Sequence, residues 1–223
     1  LKGEVEFLRS VTATAELTWG LLLGLLRQIP SAADSVESGK WDRDSFRGHE
    51  LKDKRLGIVG LGRLGGMVAG YGRAFGMIVR SYDPHIKSWP EGVERVETLD
   101  DLFATCDVIS LHPPLNDETW NLIDESLISR LPQGAVLINT SRGAVVDEAA
   151  MLAALSSGSL AGAALDVLVD EGEGGIEEKA LVAYARDHKN LILTPHIGGA
   201  TYESMEATEI FMAEKLERFV KNA

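Results

Sequence analysis

Residues 56–66 read LGIVGLGRLGG, a short apolar run that reaches Gly60 and continues through Leu61, Gly62, Arg63 and Leu64 to Gly65. An apolar run that opens directly onto glycines at this spacing lets a pyrophosphate approach backbone N–H groups at the positive end of a following helix. Many tight turns share the pattern, so its weight depends on what surrounds it. Asp83 gives the first support: it follows the next apolar run, MIVRSY at 77–82, near the separation of about 20 residues expected for an acid on the ribose hydroxyls of a dinucleotide. The stretch SYDPH at 81–85 offers no arginine for a 2′-phosphate, and an anionic side chain repels one, so the pattern favours NAD over NADP.

Working outward, continuous apolar runs recur: LGIV at 56–59, MIVRSY at 77–82, DVISL at 107–111, AVLIN at 135–139, AGAALDV at 161–167 and NLILT at 190–194. Stretches with helical spacing separate them. Runs apolar on both faces, alternating with helices, predict an α/β fold: a Rossmann-type, doubly wound parallel sheet with helices on both faces. Thr98, followed by Asp101, and Asp147, ahead of EAAMLAAL, are expected to cap helix N-termini. Upstream, an apolar helix is expected from about Thr14 to Ile29. A polar connector without periodicity, Pro30 to Lys54, is expected to wrap across the surface. The stretch ATYESMEATEIFMAEKLERFVKN closes the chain as a long amphipathic helix.

Composition narrows the function. The 223 residues are 45% hydrophobic and 25% charged, as in an ordinary globular protein. A formal net charge of -12 repels a nucleic-acid backbone or an anionic membrane surface, so neither is expected as a partner. The most apolar segment, Leu17 to Leu26, is interrupted by Gly20 and Gly24 and falls short of the roughly 20 residues of a membrane span. Cys106, the single cysteine, excludes an internal disulfide, reads as a buried packing residue and fits a reducing cytoplasm. The five histidines and one cysteine show no ligand spacing, and no metal is expected. The abrupt start, LKGEVEFLRS, reads as a fragment of a longer protein.

The stretches TAELTWGLLLGLLRQIP, SGKWDR, LGIVGLGRLGGMVA, LHPPLNDETWNLID, LINTSRGAVVDE, AGAALDV and LTPHIGGAT resemble, in order and over nearly the whole chain, the nucleotide-binding domain of the D-isomer-specific 2-hydroxyacid dehydrogenases. That is the family of D-lactate, glycerate and 3-phosphoglycerate dehydrogenases. The resemblance implies an NAD-dependent oxidoreductase that moves a hydride between NAD(H) and a D-2-hydroxy acid or its 2-oxo acid. It further implies that residues 1–30 form an interdomain and dimerisation helix, 31–200 the dinucleotide-binding domain, and 201–223 a helix returning towards an N-terminal substrate lobe missing from this chain. A homodimer is implied through Thr14 to Arg43, with Trp19 and Trp41 as exposed anchors.

Roles follow residue by residue. By resemblance Arg142 holds the carboxylate and carbonyl of the 2-oxo acid, a task suited to a fixed fork of donors. His196 matches the acid–base histidine, and Glu171 the glutamate that orients it. The family commonly places a proline after this glutamate; here the sequence is VDEGEGGIEE, so Asp170 and Glu173 stand as alternatives. Asp166 matches the carboxylate that accepts from the nicotinamide carboxamide. Gly60, Gly62, Gly65 and Asp83 belong to the cofactor site already read from the sequence. Pro113, Thr140 and the Arg63-Leu64 pair match further cofactor contacts made through backbone or packing. His112 is expected to line the same cleft, with no chemistry assigned. A redox-inactive, corepressor-like scaffold that still binds NAD is the alternative, against which the retained Arg142, Glu171 and His196 argue. A methyltransferase using S-adenosylmethionine also has a glycine-rich turn and a second-strand acid, but gives no reason for Arg142 and His196 at later strand ends.

Overall fold

All six apolar runs form strands in a computed structural model that describes residues 4–172 and 174–221. Glu173, one of the alternatives to Glu171, lies outside the described residues, as do residues 1–3 and 222–223. The strands are β1 (Arg55–Val59), β2 (Ile78–Tyr82), β3 (Glu94–Arg95), β4 (Val108–Leu111), β5 (Val136–Asn139), β6 (Gly162–Leu165) and β7 (Leu191–Leu193). They build one seven-stranded sheet in the order β3-β2-β1-β4-β5-β6-β7, with every pairing parallel. β3 is the strand that the apolar pattern misses. It is a two-residue charged edge, held by the pairing of Glu94 and Arg95 with Arg80 and Ser81 of β2, so no apolar run announces it.

Burial on both faces holds for the central strands. Val136 and Ile138 of β5 pack into one core and Leu137 into the other. Helices α2 (Ala13–Leu26) and α4 (Arg63–Ala74) cover the first face; α5 (Leu99–Thr105), α6 (Glu125–Ser129), α7 (Glu148–Ser157) and α8 (Ala180–Asp187) cover the second. β2 departs from the expectation, because it sits beside the short edge strand: Ile78 is exposed while Val79 and Ser81 are buried. Thr98 and Asp147 are caps as expected, Thr98 accepting from the Asp101 N–H and Asp147 from the N–H groups of Ala149 and Ala150. Cys106 is buried, and burial pushes its thiol up to about 11.

The N-terminal expectation needs correcting in three places. α1 (Val5–Ser10) precedes α2, which stops at Leu26 rather than Ile29 because Gln28 turns into the left-handed region at φ 52°. The connector opens with a further helix, α3 (Ile29–Glu37), started by Pro30 in its first turn and carrying no buried residue. A 3-10 turn, Asp44–Phe46, follows. Trp19 is not an exposed anchor: it is 5% exposed and stacks on Phe75 with ring centroids 4.8 Å apart. It shares its helix face with Ala15 and Leu22, one turn away on either side, so it points into the core. α9 (Tyr202–Lys221) closes the chain and meets α1 through stacked Phe7 and Phe211 rings and a 2.9 Å Lys215–Glu4 ion pair. Among the described residues no helix is long and apolar enough to cross a membrane.

Candidate active site

The strand order reverses direction at β1, whose neighbours are β2 and β4, and a crevice therefore opens where the carboxyl ends of β1 and β4 part. The glycine turn lies there. Gly60 has φ +86°, its N–H donates to the Tyr82 carbonyl at 2.9 Å, and a Cβ on it would stand 3.0 Å from the Pro113 nitrogen. A Cβ on Gly65 would fall 2.0 Å from the Gly60 carbonyl oxygen, so the turn closes onto α4 only with glycine there. Gly62, the N-cap of α4, has nothing within 4 Å of a built Cβ. Its face is open at the end of the helix that carries free N–H groups.

Asp83 accepts the Leu61 N–H at 2.8 Å with one oxygen and the N–H groups of His85 and Ile86 at 2.8 and 3.2 Å with the other. It thus braces the glycine turn while lining a cavity of about 310 Å³ with Gly60, Gly62, His112 and Pro113. An adenosine diphosphate moiety fits this lining: an open helix terminus for phosphate and a carboxylate at the end of the second strand for hydroxyls.

A second cavity, of about 470 Å³, adjoins it across His112 and Pro113. It brings together Arg63, Leu64, Thr140, Arg142, Asp166 and His196. Arg63 donates through Nη1 to the carbonyls of Leu8 and Val11, at 2.9 and 2.7 Å. Arg142 stands on a turn built by the buried Asn139, whose Oδ1 accepts both the N–H and the hydroxyl of Ser141 at 2.9 Å. The Asn139 amide donates to the Arg142 carbonyl, also at 2.9 Å. The exposed Arg142 guanidinium donates to the Ser141 carbonyl, and among the described residues no acid lies within 4 Å of it.

Opposite, the Asp166 carboxylate is 1% exposed and accepts three donors: the Thr194 hydroxyl at 2.6 Å and the N–H groups of Ile197 and Gly198 at 2.8 and 2.7 Å. It fixes the loop that carries His196, whose φ of 53° lies in the left-handed region. Glu171 does not line the cavity. It reaches His196 from behind, one oxygen on Nδ1 and the other accepting the Leu168 N–H at 3.0 Å. Asp170, the other described alternative, makes no bond to His196 among the described residues.

Three supports went unassigned from the sequence. Thr14 and Thr18 of α2 reach the site in relay: Thr14 donates to the Gly198 carbonyl at 2.9 Å, Thr18 donates to the Thr14 carbonyl at 2.8 Å, and the Thr18 and Thr140 hydroxyls lie 2.8 Å apart. Hydroxyls inside an otherwise apolar helix were the available signal. His112 is the third. Its Nε2 lies 2.8 Å from the Ser110 hydroxyl, its Nδ1 is buried without a partner, and burial pushes its pKa down to about 3. The imidazole is a neutral wall between the two cavities.

A family model described as the D-isomer specific 2-hydroxyacid dehydrogenase, NAD binding domain, matches residues 19–198. The chain is 45% identical over 197 residues to D-3-phosphoglycerate dehydrogenase of Rattus norvegicus, covering 86% of this chain and 35% of that protein. It is 39% identical over 213 residues to the Bacillus subtilis (strain 168) enzyme of the same name, covering 94% and 39%. Among solved structures it is similar to D-lactate dehydrogenase from Aquifex aeolicus complexed with NAD and lactic acid, at TM-score 0.86 and 35% identity, covering 96% of this chain and 68% of that one. The chain therefore spans well under half the length of these two relatives.

The glycine geometry separates folding from binding. Gly65→Ala drives a Cβ into the Gly60 carbonyl and is expected to lower the unfolding free energy by about 2 kcal/mol or more. Gly62→Ala meets no atom of the protein, so its cost to stability should be limited to that of alanine at an N-cap, about 1 kcal/mol or less, while it weakens NAD binding on the order of ten-fold by occupying the open face. Urea unfolding and calorimetric titration read the two, and equal behaviour of the variants would break the assignment. His112 predicts a pH effect. Its folded pKa is depressed from 6.5 to about 3, so the unfolded chain binds the extra proton; the stabilisation is complete above 6.5 and is lost progressively as pH falls from there through about 3. Unfolding free energy should accordingly fall less steeply over that window in His112→Gln than in the parent protein.

Proposed function

The chain belongs to the D-isomer-specific 2-hydroxyacid dehydrogenases and carries their NAD-binding domain, and on that premise we propose that the whole protein oxidises a D-2-hydroxy acid to its 2-oxo acid, or runs the reverse reduction, with NAD as cofactor. One observation carries the reading: an arginine with no acid partner among the described residues faces the same cavity as a histidine already held by a carboxylate. NAD, when bound, supplies the acceptor or donor of the hydride. Arg142 binds the substrate carboxylate and polarises the carbonyl through the remaining donors of its guanidinium. With Nδ1 taken by Glu171, His196 offers Nε2 to remove the hydroxyl proton in oxidation or return it in reduction.

Asp166 already accepts three donors, and a carboxylate has about four acceptor sites, which leaves it one for a carboxamide N–H. Asp83 has the same count and the same remaining capacity for a ribose hydroxyl. The exposed apolar side chains of α9, among them Met205, Ile210, Leu216 and Phe219, suit a helix that returns to a substrate lobe. The intact His196–Glu171 contact argues against a redox-inactive scaffold. We assign the enzyme to the cytoplasm on its single buried thiol.

In the full-length protein His196→Ala should lower kcat by roughly 10²- to 10⁴-fold with NAD affinity near that of the parent, and Arg142→Ala should raise KM and lower kcat together. Ordinary turnover by His196→Ala with the best 2-oxo acid would remove the acid–base assignment. We further propose a homodimer through α3 and the segment that follows it, where Trp41 is 89% exposed and Ile29 and Val36 are also solvent-facing. Sedimentation at micromolar concentration should read a dimer that Trp41→Ala weakens; a parent protein that sediments as a monomer would contradict this.

A further inference from the structure

We propose that Glu148 and Lys179 are positioning residues for the Glu171–His196 pair, acting through the backbone of Val169. The proposal rests on the acid–base reading of His196 and extends it to residues outside the cavity. Val169 is gripped on both sides: its N–H donates to Glu148 Oε1 at 2.7 Å, and its carbonyl accepts from Lys179 Nζ at 2.6 Å. Two residues later Glu171 divides its carboxylate between the Leu168 N–H and His196 Nδ1. Between them Asp170 sits at φ 52°, so the segment doubles back on itself and a displaced Val169 carries Glu171 with it.

The position of Val169 is fixed from a third side as well. A Cβ on Gly143 would fall 2.1 Å from the Leu168 carbonyl carbon and 2.3 Å from the Val169 nitrogen. The turn that presents Arg142 therefore abuts the turn that presents Glu171, and Glu148, five residues beyond Gly143, bonds across the junction. Glu148 opens α7 and Lys179 precedes α8, yet neither side chain caps its helix. The cap of α7 is Asp147, which takes the N–H groups of Ala149 and Ala150, so Glu148 is free to reach Val169. Glu148 is half-buried and its pKa is raised by burial, against the lowering effects of the Val169 N–H and Lys179. A carboxylate withdrawn from water in this way needs compensation, and the Val169 N–H and the nearby Lys179 charge supply it.

Around His196 stand Glu171 against Nδ1 and Asp166 beneath the loop, with Arg63, Arg142 and neutral His112 lining the same cavity; Asp170 is the sequence neighbour of Glu171. Among the described residues Glu148 and Lys179 are bonded to none of these, and the contacts that link them to the imidazole run through Val169.

The test uses the full-length protein and reads the His196 imidazole by nitrogen and carbon NMR, its signal identified by its loss in His196→Ala. Glu148→Ala removes the acceptor, Glu148→Gln keeps one, and Lys179→Met removes the ammonium but keeps the stem. The imidazole signal should move in Glu148→Ala and Lys179→Met towards its position in Glu171→Gln, and Glu148→Gln should restore it. The pH profile of turnover should move in the same sense. kcat should fall by up to roughly 10²-fold, the cost of about 1 Å of misplacement, with KM for NAD held, and adding Glu148→Ala to Glu171→Gln should change little further. A parent-like signal in folded Glu148→Ala and Lys179→Met overturns the proposal, and Lys179→Met alone decides it if Glu148→Ala does not fold. Absence of turnover in the parent protein would count against the proposed activity, while the imidazole signal would still decide the role of Glu148 and Lys179.

Discussion

Asp166 takes a negative charge almost completely out of water, and the walls of the cavity that holds Arg142 and His196 are organised by what that burial requires. A carboxylate removed from solvent is tolerated only when donors replace its hydration. Here they are the Thr194 hydroxyl and the N–H groups of Ile197 and Gly198, all beyond β7, while Asp166 itself leaves β6. The demand of one side chain thereby folds a loop and holds His196 in a left-handed conformation that a non-glycine residue adopts at a cost. The same loop is tied onward. Gly198 accepts from Thr14, Thr18 donates to the Thr14 carbonyl, and Thr140 meets Thr18, so α2, the end of β5 and the histidine loop form one connected frame.

That frame stands beside a second one with a different logic. Around β1 the work is done by missing side chains: Gly60 because Pro113 and His112 approach it, Gly65 because the Gly60 carbonyl does, Gly62 because its outer face must stay empty. The two frames meet at His112 and Pro113, which line both cavities. A neutral imidazole there is a consequence of burial, since a charged one would also need an acceptor at Nδ1, which the described residues do not supply.

The sequence was most legible where spacing alone fixes geometry. The glycine turn, the central strands and both helix caps depend on local pattern and on the rule that parallel strands present their carboxyl ends to ligands, whereas the meeting of Arg142 and His196 on one cavity was implied by the family resemblance. It was least legible where a residue's partner lies far along the chain. Thr14 contacts Gly198 across 184 positions, and no periodicity marks that pairing. Trp19 read as an interface residue because a tryptophan in a helix of almost unbroken apolarity has no polar face to show its orientation; only the packing of Phe75 and Gly72 against it does. β3 was invisible for the opposite reason, its two residues being charged and its strand character borrowed wholly from β2.

Charge reconciles so acidic a chain with the anionic substrate proposed for it. The net charge of -12 acts through solvent in which fields fade over about 8 Å at physiological salt, so the groups facing each cavity outweigh the total. In the cavity beside the glycine turn the lining carries two carboxylates, Asp83 and Glu118, and no lysine or arginine. In the adjoining one the guanidiniums of Arg63 and Arg142 face a single buried carboxylate, Asp166, whose charge is already spread over three donors. The carbonyls that accept from Arg63 and Arg142 are neutral, and among the described residues no acid is paired with either guanidinium. An acidic surface with a cationic recess excludes polyanions, which must span many charges at once, and still admits a small carboxylate that meets only the recess.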